Sequence, residues 1–414
     1  MADIPASVSV REHLERVLTS IEPLLQTDAP LSRARGRVLA EDVRALVAIP
    51  SFDNSAMDGY AVHRDDVAEA STLRPVTLRV VADLPAGTAE DPAVGPGEAA
   101  RIMTGAPLPS DADAVIPVED TDRGLPEVVV TAPATTSGYV REAGADTRIG
   151  EVVLTAGRIL DSQDIATAAA TGSRTLPVFP APRVAILSTG SELLTPGEPL
   201  TRGQIYDANS YLLEAQVAEA GGVPVRIGAI PDNLDRLGGA LDEIVPGVDA
   251  IITSGGVSVG AYDVVKALLS GHGNVWFGKV RMQPGGPQGF GHWSDGTPVF
   301  TLPGNPVSSF VSFEVYVRPA LRKMQGLTPW ERPVVRAVAA QDWTGPAGRA
   351  QYMPVALVRG EAEEVPLHVR PSARGGSASH LVASLAAAEG IAIVPEAVTL
   401  VEAGTNVDVM LVRN

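Results

Sequence analysis

The sequence predicts a multidomain α/β plus β protein: a doubly wound α/β block set between two β-rich regions. Three observations carry this. From Arg183 to Gly326, strand-like and helix-like segments alternate, which calls for a parallel sheet with helices on both faces. Before that block, from Tyr60 to about Gly150, and after it, from Val334 to Asn414, short apolar runs are broken by Gly and Pro. Three prolines, Pro177, Pro180 and Pro182, mark where the texture changes. At 414 residues the chain exceeds one ordinary core, so two to four domains are expected.

Each element follows from its own pattern. Ser9 to Leu25 reads as a helix: Ser9 and Glu12 fit a capping box, and Val10, Leu14, Val17, Leu18 and Ile21 form an apolar stripe. VTLRVVADLPAG, AVIPVED, EVVVTAPA and GEVVLTAGRIL read as strands with turns, and DSQDIATAAATG as a short helix. The α/β block pairs RVAILS with DANSYLLEAQVAEAGG, VPVRIGAI with NLDRLGGALDEIV, VDAIIT with YDVVKALLS, and PVFTL with the long helix PVSSFVSFEVYVRPALRKMQG. YMPVALVRG, PLHVRPS and VDVMLV are the strands expected near the C-terminus.

Composition excludes several chemistries. With no Cys, there are no disulfides, thiolate nucleophiles, Fe–S clusters or Cys-ligated zinc. The six histidines are dispersed, so any metal is expected to have oxygen ligands, as Mg²⁺ does. A net charge of −17 gives no basic footprint for nucleic acid. An anion must therefore be held locally, by backbone N–H groups, a few Arg, or a cation. No apolar run is long enough to span a bilayer, and the N-terminus has no secretory pattern, so a cytoplasmic protein is expected.

Ligands of an open parallel sheet bind at the carboxyl ends of its strands. There the sequence places Glu192 in STGSEL, Asp232 in PDN, Asp263 in TSGGVSVGAYD, and the turn LPGNPVSS. Ser254, Gly255 and Gly256, and Pro303, Gly304 and Asn305, build Gly-rich turns whose N–H groups can face a ligand. Pro306 suits a first helical position, Asn305 the cap before it, and Ser308 the first turn. Carboxylates beside an oxyanion seat imply an intervening cation, so Glu192, Asp232 and Asp263 are candidate Mg²⁺ partners, direct or through water. Each loop alone reads equally as a cap or turn; four on one rim favour a metal–phosphate site. GVSVG also matches the nucleophile-elbow pattern with Ser258, although Ser254-Gly255 separates it from its strand.

The stretch SFDNSAMDGYAV crowds Asp53, Asn54 and Ser55 beside the Asp58-Gly59 pair, read as a turn in which Gly takes positive φ. Taken with RIMTGAPLP, VREAGAD, STGSEL, GQIYDANS, TSGGVSVGAYD and LPGNPVSSF, in that order, it resembles molybdopterin molybdotransferase, the MoeA and gephyrin E-domain family. The likeness covers nearly the whole chain. It implies an α/β molybdopterin-binding domain (1–25 and 178–326), a linking domain (26–47 and 147–177), an inserted β-rich domain (48–146) and a C-terminal β-barrel (327–414). It also implies a homodimer whose cleft lies between subunits. The implied reaction joins molybdate to adenylylated molybdopterin, releasing AMP and molybdenum cofactor with Mg²⁺ assisting, and the molybdopterin adenylyltransferase becomes a candidate partner. By this likeness Asp58, Thr104 and Asp146 are functional, with Asp53, Asn54 and Ser55 shaping the loop.

One departure stands out. The family commonly has K-P-G-K-P before the last strand, where this chain has MQPGGP, so Gln283 and Gly286 replace both lysines. Strand alternation puts Lys279 and Arg281 on the face shared with Gln283, and either is expected to compensate as the anion's basic anchor. Two other readings stay open: a non-catalytic cofactor-binding or scaffold relative, and a serine hydrolase using Ser258.

Overall fold

The structure, a computed structural model, describes residues 7–135, 138–231, 233–256, 264–358, 367–373 and 381–413. Asp232, Ser258 and Asp263 fall outside the described residues. The chain forms two compact units, one of Met1–Thr27, Gly36–Ala40 and Val178–Asn414, the other of Asp28–Arg35 and Glu41–Pro177.

The first unit holds a seven-stranded sheet. Arg183–Thr189 is flanked in parallel by Val223–Ile230 and Ala250–Ser254, and the latter pairs in parallel with Pro298–Leu302. These are the four strands expected from the sequence. Alternation on Arg183–Thr189 buries Val184 and Ile186 against Val17, Leu213, Val217 and Phe313. Ala185 and Leu187 face the other way, against Leu237, Leu241, Val265 and Leu268. Helices therefore cover both faces, as the doubly wound reading requires.

Beyond Pro298–Leu302 the sheet continues with strands not among the segments named from sequence, although alternation through Lys279 and Arg281 assumed a strand there. Pro287–Trp293 runs antiparallel, Gly273–Val280 antiparallel to that, and Ser7–Val8 parallel to Gly273–Val280. Two reversals restore direction, so Val280 ends at the same sheet edge as Thr189, Ser254 and Leu302.

The N-terminal helix has its capping box, with Glu12 N–H donating to Ser9 Oγ at 3.2 Å and Ser9 N–H to the Glu12 carboxylate at 2.6 Å. It spans Val10–Thr19 and stops short of the Leu25 expected. Pro23 disfavours helical geometry at Glu22, and the Ser20 hydroxyl bonds back to the Val17 carbonyl at 3.0 Å. The last helix runs through Pro306–Ser312 and Arg318–Met324 with a π-helical stretch, Phe313–Val317, between them. Pro319 cannot donate the helical bond, and the wider turns before it accommodate that loss.

In the C-terminal region Val334–Ala339, Ala350–Val358, His368–Pro371, Gly390–Val394 and Asn406–Leu411 close into a five-stranded barrel. A shared core of Val8, Val280, Met282 and Tyr316 with Tyr352 and Ile391 welds it to the α/β sheet.

The second unit centres on a five-stranded sheet ordered Glu127–Val130, Val76–Leu84, Glu98–Ile102, Gly59–Val62 and Ala114–Pro117. Tyr60 and Val62 pack in one core and Ala61 in another, so this strand is buried on both faces. No helix among the described residues is long and apolar enough to cross a membrane.

His13 sits in the first unit's core, 1% exposed, with ring centroids 4.6 Å from Tyr316 and 5.1 Å from Trp276. Burial, and secondarily the Arg16 charge, pushes its pKa down to about 3. An unfolded chain takes up this proton below about pH 6.5, whereas the folded chain does not until about pH 3. Stability should therefore fall on acidification through that window, by up to about 1.4 kcal/mol per pH unit from this residue. Urea unfolding of His13→Gln should show a shallower acid slope than wild type; an equal slope would contradict the assignment.

Candidate functional site

Two clusters, one in each unit, hold the described site residues that the sequence singled out. In the second unit, the opening motif forms a loop whose polar side chains bind its own backbone. Asp53 Oδ1 accepts the Ala143 N–H at 2.7 Å, Asn54 Nδ2 donates to the Phe52 carbonyl at 3.1 Å, and Ser55 Oγ donates to the Met57 carbonyl. Asn54 and Ser55 also pair with Arg141 and Val140. Asp53, Asn54 and Ser55 thus shape the loop.

Asp58 is exposed, and its Oδ1 accepts both the Thr104 N–H and the Thr104 hydroxyl at 2.7 Å. Those two bonds hold its carboxyl below the ordinary range. Gly59 corrects the turn reading: it is not left-handed but opens a strand. A Cβ there would stand 1.9 Å from the Ile116 carbonyl oxygen, so close backbone approach requires the glycine. Asp146 is exposed, with its N–H on the Ile49 carbonyl at 2.9 Å, in the segment that Asp53 and Ser55 tie to the loop.

In the first unit, the carboxyl edge of the sheet gathers the second cluster. Glu192 is exposed and folds over Gly190, where a Cβ would be 2.7 Å from its carboxylate. Gly255 is left-handed at φ +96°, Gly256 at +78°. The Gly255 and Gly304 turns touch: a Cβ on Gly304 would lie 3.6 Å from the Gly255 Cα. Asn305 occupies the cap position of Pro306–Ser312 without a side-chain cap bond, and Ser308 is buried in the first turn. Pro303 is buried, and its carbonyl accepts from Ser309 Oγ at 2.6 Å. The cap of Leu234–Ile244 is Asn233, whose Oδ1 accepts the Arg236 N–H at 3.0 Å.

Two residues here were missed by sequence reading. Asn209 Nδ2 donates to Ser254 Oγ and to the Gly304 carbonyl, each at 2.7 Å. Asp207 caps the helix Ala208–Glu219, accepting from Ser210 N–H at 3.0 Å and Ser188 Oγ at 2.9 Å. Both lie in DANS, Asp207 at the cap and Asn209 in the first turn of the helix, where a helix start was the local signal.

Farther along the same edge is a cleft of about 310 Å³ lined by residues that include Lys279, Arg281, Gly286 and Arg349. Exposure alternates as expected: Lys279 and Arg281 face out, Val280 and Met282 in. Arg281 is half committed, with Nε 3.2 Å from a Glu396 carboxylate oxygen. Pairing of Met282 with Ala350 and Gln283 with Gln351 brings Arg349 beside it from the barrel.

Among the described residues no group of three or more His, Asp or Glu could hold a metal. Of the three candidate metal partners only Glu192 lies among the described residues, an exposed carboxylate beside Gly190, which fits Mg²⁺ in kind, since that ion takes oxygen ligands and needs only one or two carboxylates.

Comparison with known proteins identifies the family. Family models for the MoeA N-terminal region (domain I and II), a probable molybdopterin binding domain and the MoeA C-terminal region (domain IV) match residues 8–172, 185–323 and 336–412. Molybdopterin molybdenumtransferase 2 of Mycobacterium tuberculosis is 44% identical over 407 residues, 97% of this chain and 98% of its own. The molybdopterin molybdenumtransferase of a Nostoc species is 36% identical over 383 residues, 91% of this chain and 86% of its own. The crystal structure of a molybdopterin biosynthesis MoeA protein from Pyrococcus horikoshii has a TM-score of 0.84 at 32% identity, covering 99% of this chain and 100% of that one. With three matching regions in order and relatives alike over nearly their full length, the chain belongs to the MoeA family.

Proposed function

We propose that the protein inserts molybdenum into molybdopterin, joining molybdate to the adenylylated form and releasing AMP. Relatives named for that transfer match along almost the whole chain. The observation that carries the reading is the sheet edge, which has two separate anion-attracting features. One is the Gly304 turn, packed against the Gly255 turn, whose own N–H is not turned to a ligand as expected but bonded to the Leu302 carbonyl; the other is the cationic cleft of Lys279, Arg281 and Arg349. Two reactants, both anionic, need two such places.

In this reading the Gly304 turn holds the phosphates of the nucleotide-bearing substrate, with Ser254 and Ser308 buried behind it and Gly256 and Ser258 following the neighbouring Gly255 in sequence. Lys279, Arg281 and Arg349 hold molybdate, supplying the charge absent at Gln283 and Gly286. Glu192, with Asp232 and Asp263, would hold Mg²⁺, which when bound neutralises charge on the phosphoanhydride. Asp58, kept ionised by Thr104, is a fixed acceptor for a proton or a donor group of the reactants. Asp146 borders it. In a homodimer the Asp58 loop of one chain would serve the sheet edge of the other, and the adenylyltransferase would supply the substrate.

Purified protein given adenylylated molybdopterin, molybdate and Mg²⁺ should release AMP in a molybdate-dependent manner. No release from competent substrate would favour a cofactor-binding relative without catalysis. The serine-hydrolase reading has no support in the relatives; it requires Ser258→Ala to abolish activity.

Lys279→Ala and Arg349→Ala should each raise the apparent KM for molybdate several-fold, while Glu396→Gln, by freeing Arg281, should lower it. Unchanged molybdate KM in all three would reject the cleft as the molybdate seat. Asp58→Asn should cut kcat by about 100-fold. Thr104→Val removes one of the bonds that lower the Asp58 pKa, so the acid limb of the pH–rate profile should move to higher pH; an unmoved limb would exclude Asp58 as its source.

A further inference from the structure

Three successive carbonyls leave the last parallel strand, and each accepts a hydrogen bond from a different element. The Leu302 carbonyl takes the Gly255 N–H at 3.0 Å, that of Pro303 takes Ser309 Oγ at 2.6 Å, and that of Gly304 takes Asn209 Nδ2 at 2.7 Å. Asn209 gives its other amide proton to Ser254 Oγ at 2.7 Å, and Ser254 Oγ stands 3.3 Å from Ser309 Oγ. Ser309 has one hydroxyl proton and spends it on Pro303, so between the two serines it must accept. The bonds therefore run one way, from Asn209 through Ser254 and Ser309 to the Pro303 carbonyl.

A trans peptide group points its C=O and N–H in opposite directions. Holding the Pro303 carbonyl inward turns the Gly304 N–H outward, and Gly304 is exposed at the sheet edge. Holding the Gly304 carbonyl inward removes a negative dipole end from the same surface. Asn209 does this while its own Oδ1 is buried without a partner among the described residues. A residue kept for packing alone would not carry that desolvation cost.

We propose that Asn209 is a positioning residue: it locks the Gly304 turn with donors outward and carbonyls inward, making the seat for the phosphate of the nucleotide-bearing substrate. This deepens the function proposed above and rests on it. The residue acts through the turn and does not touch the reacting atoms.

Asn209→Ala, and Ser309→Ala, which cuts the same chain of bonds at its far end, are assayed for molybdate-dependent AMP release beside wild type. In each the KM for adenylylated molybdopterin should rise about tenfold, the effect of losing one or two hydrogen bonds. The KM for molybdate should stay within about twofold, and the double variant should be scarcely worse than either single, because the residues act as one unit. An unchanged KM for the nucleotide substrate, or equal rises in both KM values, would overturn the proposal. A wild type that releases no AMP would instead overturn the functional reading. Calorimetric titration with AMP still tests Asn209 then: binding about tenfold weaker in both variants supports it, and equal binding refutes it.

Discussion

The carbonyls of Leu302, Pro303 and Gly304 are all bonded into the protein, and what faces outward at the sheet edge depends on that constraint. The chain carries a net charge of −17 and is read as binding two anions. Charge spread over a surface is screened beyond about 8 Å at physiological ionic strength. The decision is therefore made by the groups nearest the ligand. Turning the Pro303 and Gly304 carbonyls in and the Gly304 N–H out gives a locally positive edge that net charge does not reveal.

The rest of the fold keeps this edge in register. Apolar side chains lock the central strands from both faces, and the Tyr316, Met282 and Tyr352 core fixes the barrel on the sheet. That joint holds Arg349 beside Lys279 and Arg281. The two antiparallel strands matter here as well. By reversing direction twice, they return the chain to the edge where the parallel strands end, so the cationic cleft and the Gly-rich turns share one border of one sheet.

Much of this was legible in local patterns. The capping box, the four parallel strands and their helices, and the three named C-terminal strands each follow from periodicity or turn chemistry over a few residues. What escaped depends on distant neighbours. Gly273–Val280 and Pro287–Trp293 contain Gly278, Gly289 and Gly291, which weaken a strand reading. A Cβ on Gly291 would lie 2.0 Å from the Asn274 carbonyl, so these strands pair closely because of a residue type that argues against strands. Gly59 misled in the same way, its role being contact with Ile116 and not a turn. Asn209 read as a helix start because its partners, Ser254 and Gly304, are remote in sequence. The Arg281–Glu396 pair is likewise tertiary and had no local signal. Asp58 and Thr104 were chosen by family likeness, and the geometry adds that they are bonded to each other.

The central claim is best tested by locating the two anions. Crystals soaked with tungstate and AMP should show an anomalous tungsten peak in the cleft among Lys279, Arg281 and Arg349. They should also show the AMP phosphate against the outward N–H of Gly304, with the Gly304 carbonyl still on Asn209. Tungsten and phosphate both bound elsewhere, or a turn flipped so that this carbonyl faces the ligand, would contradict it.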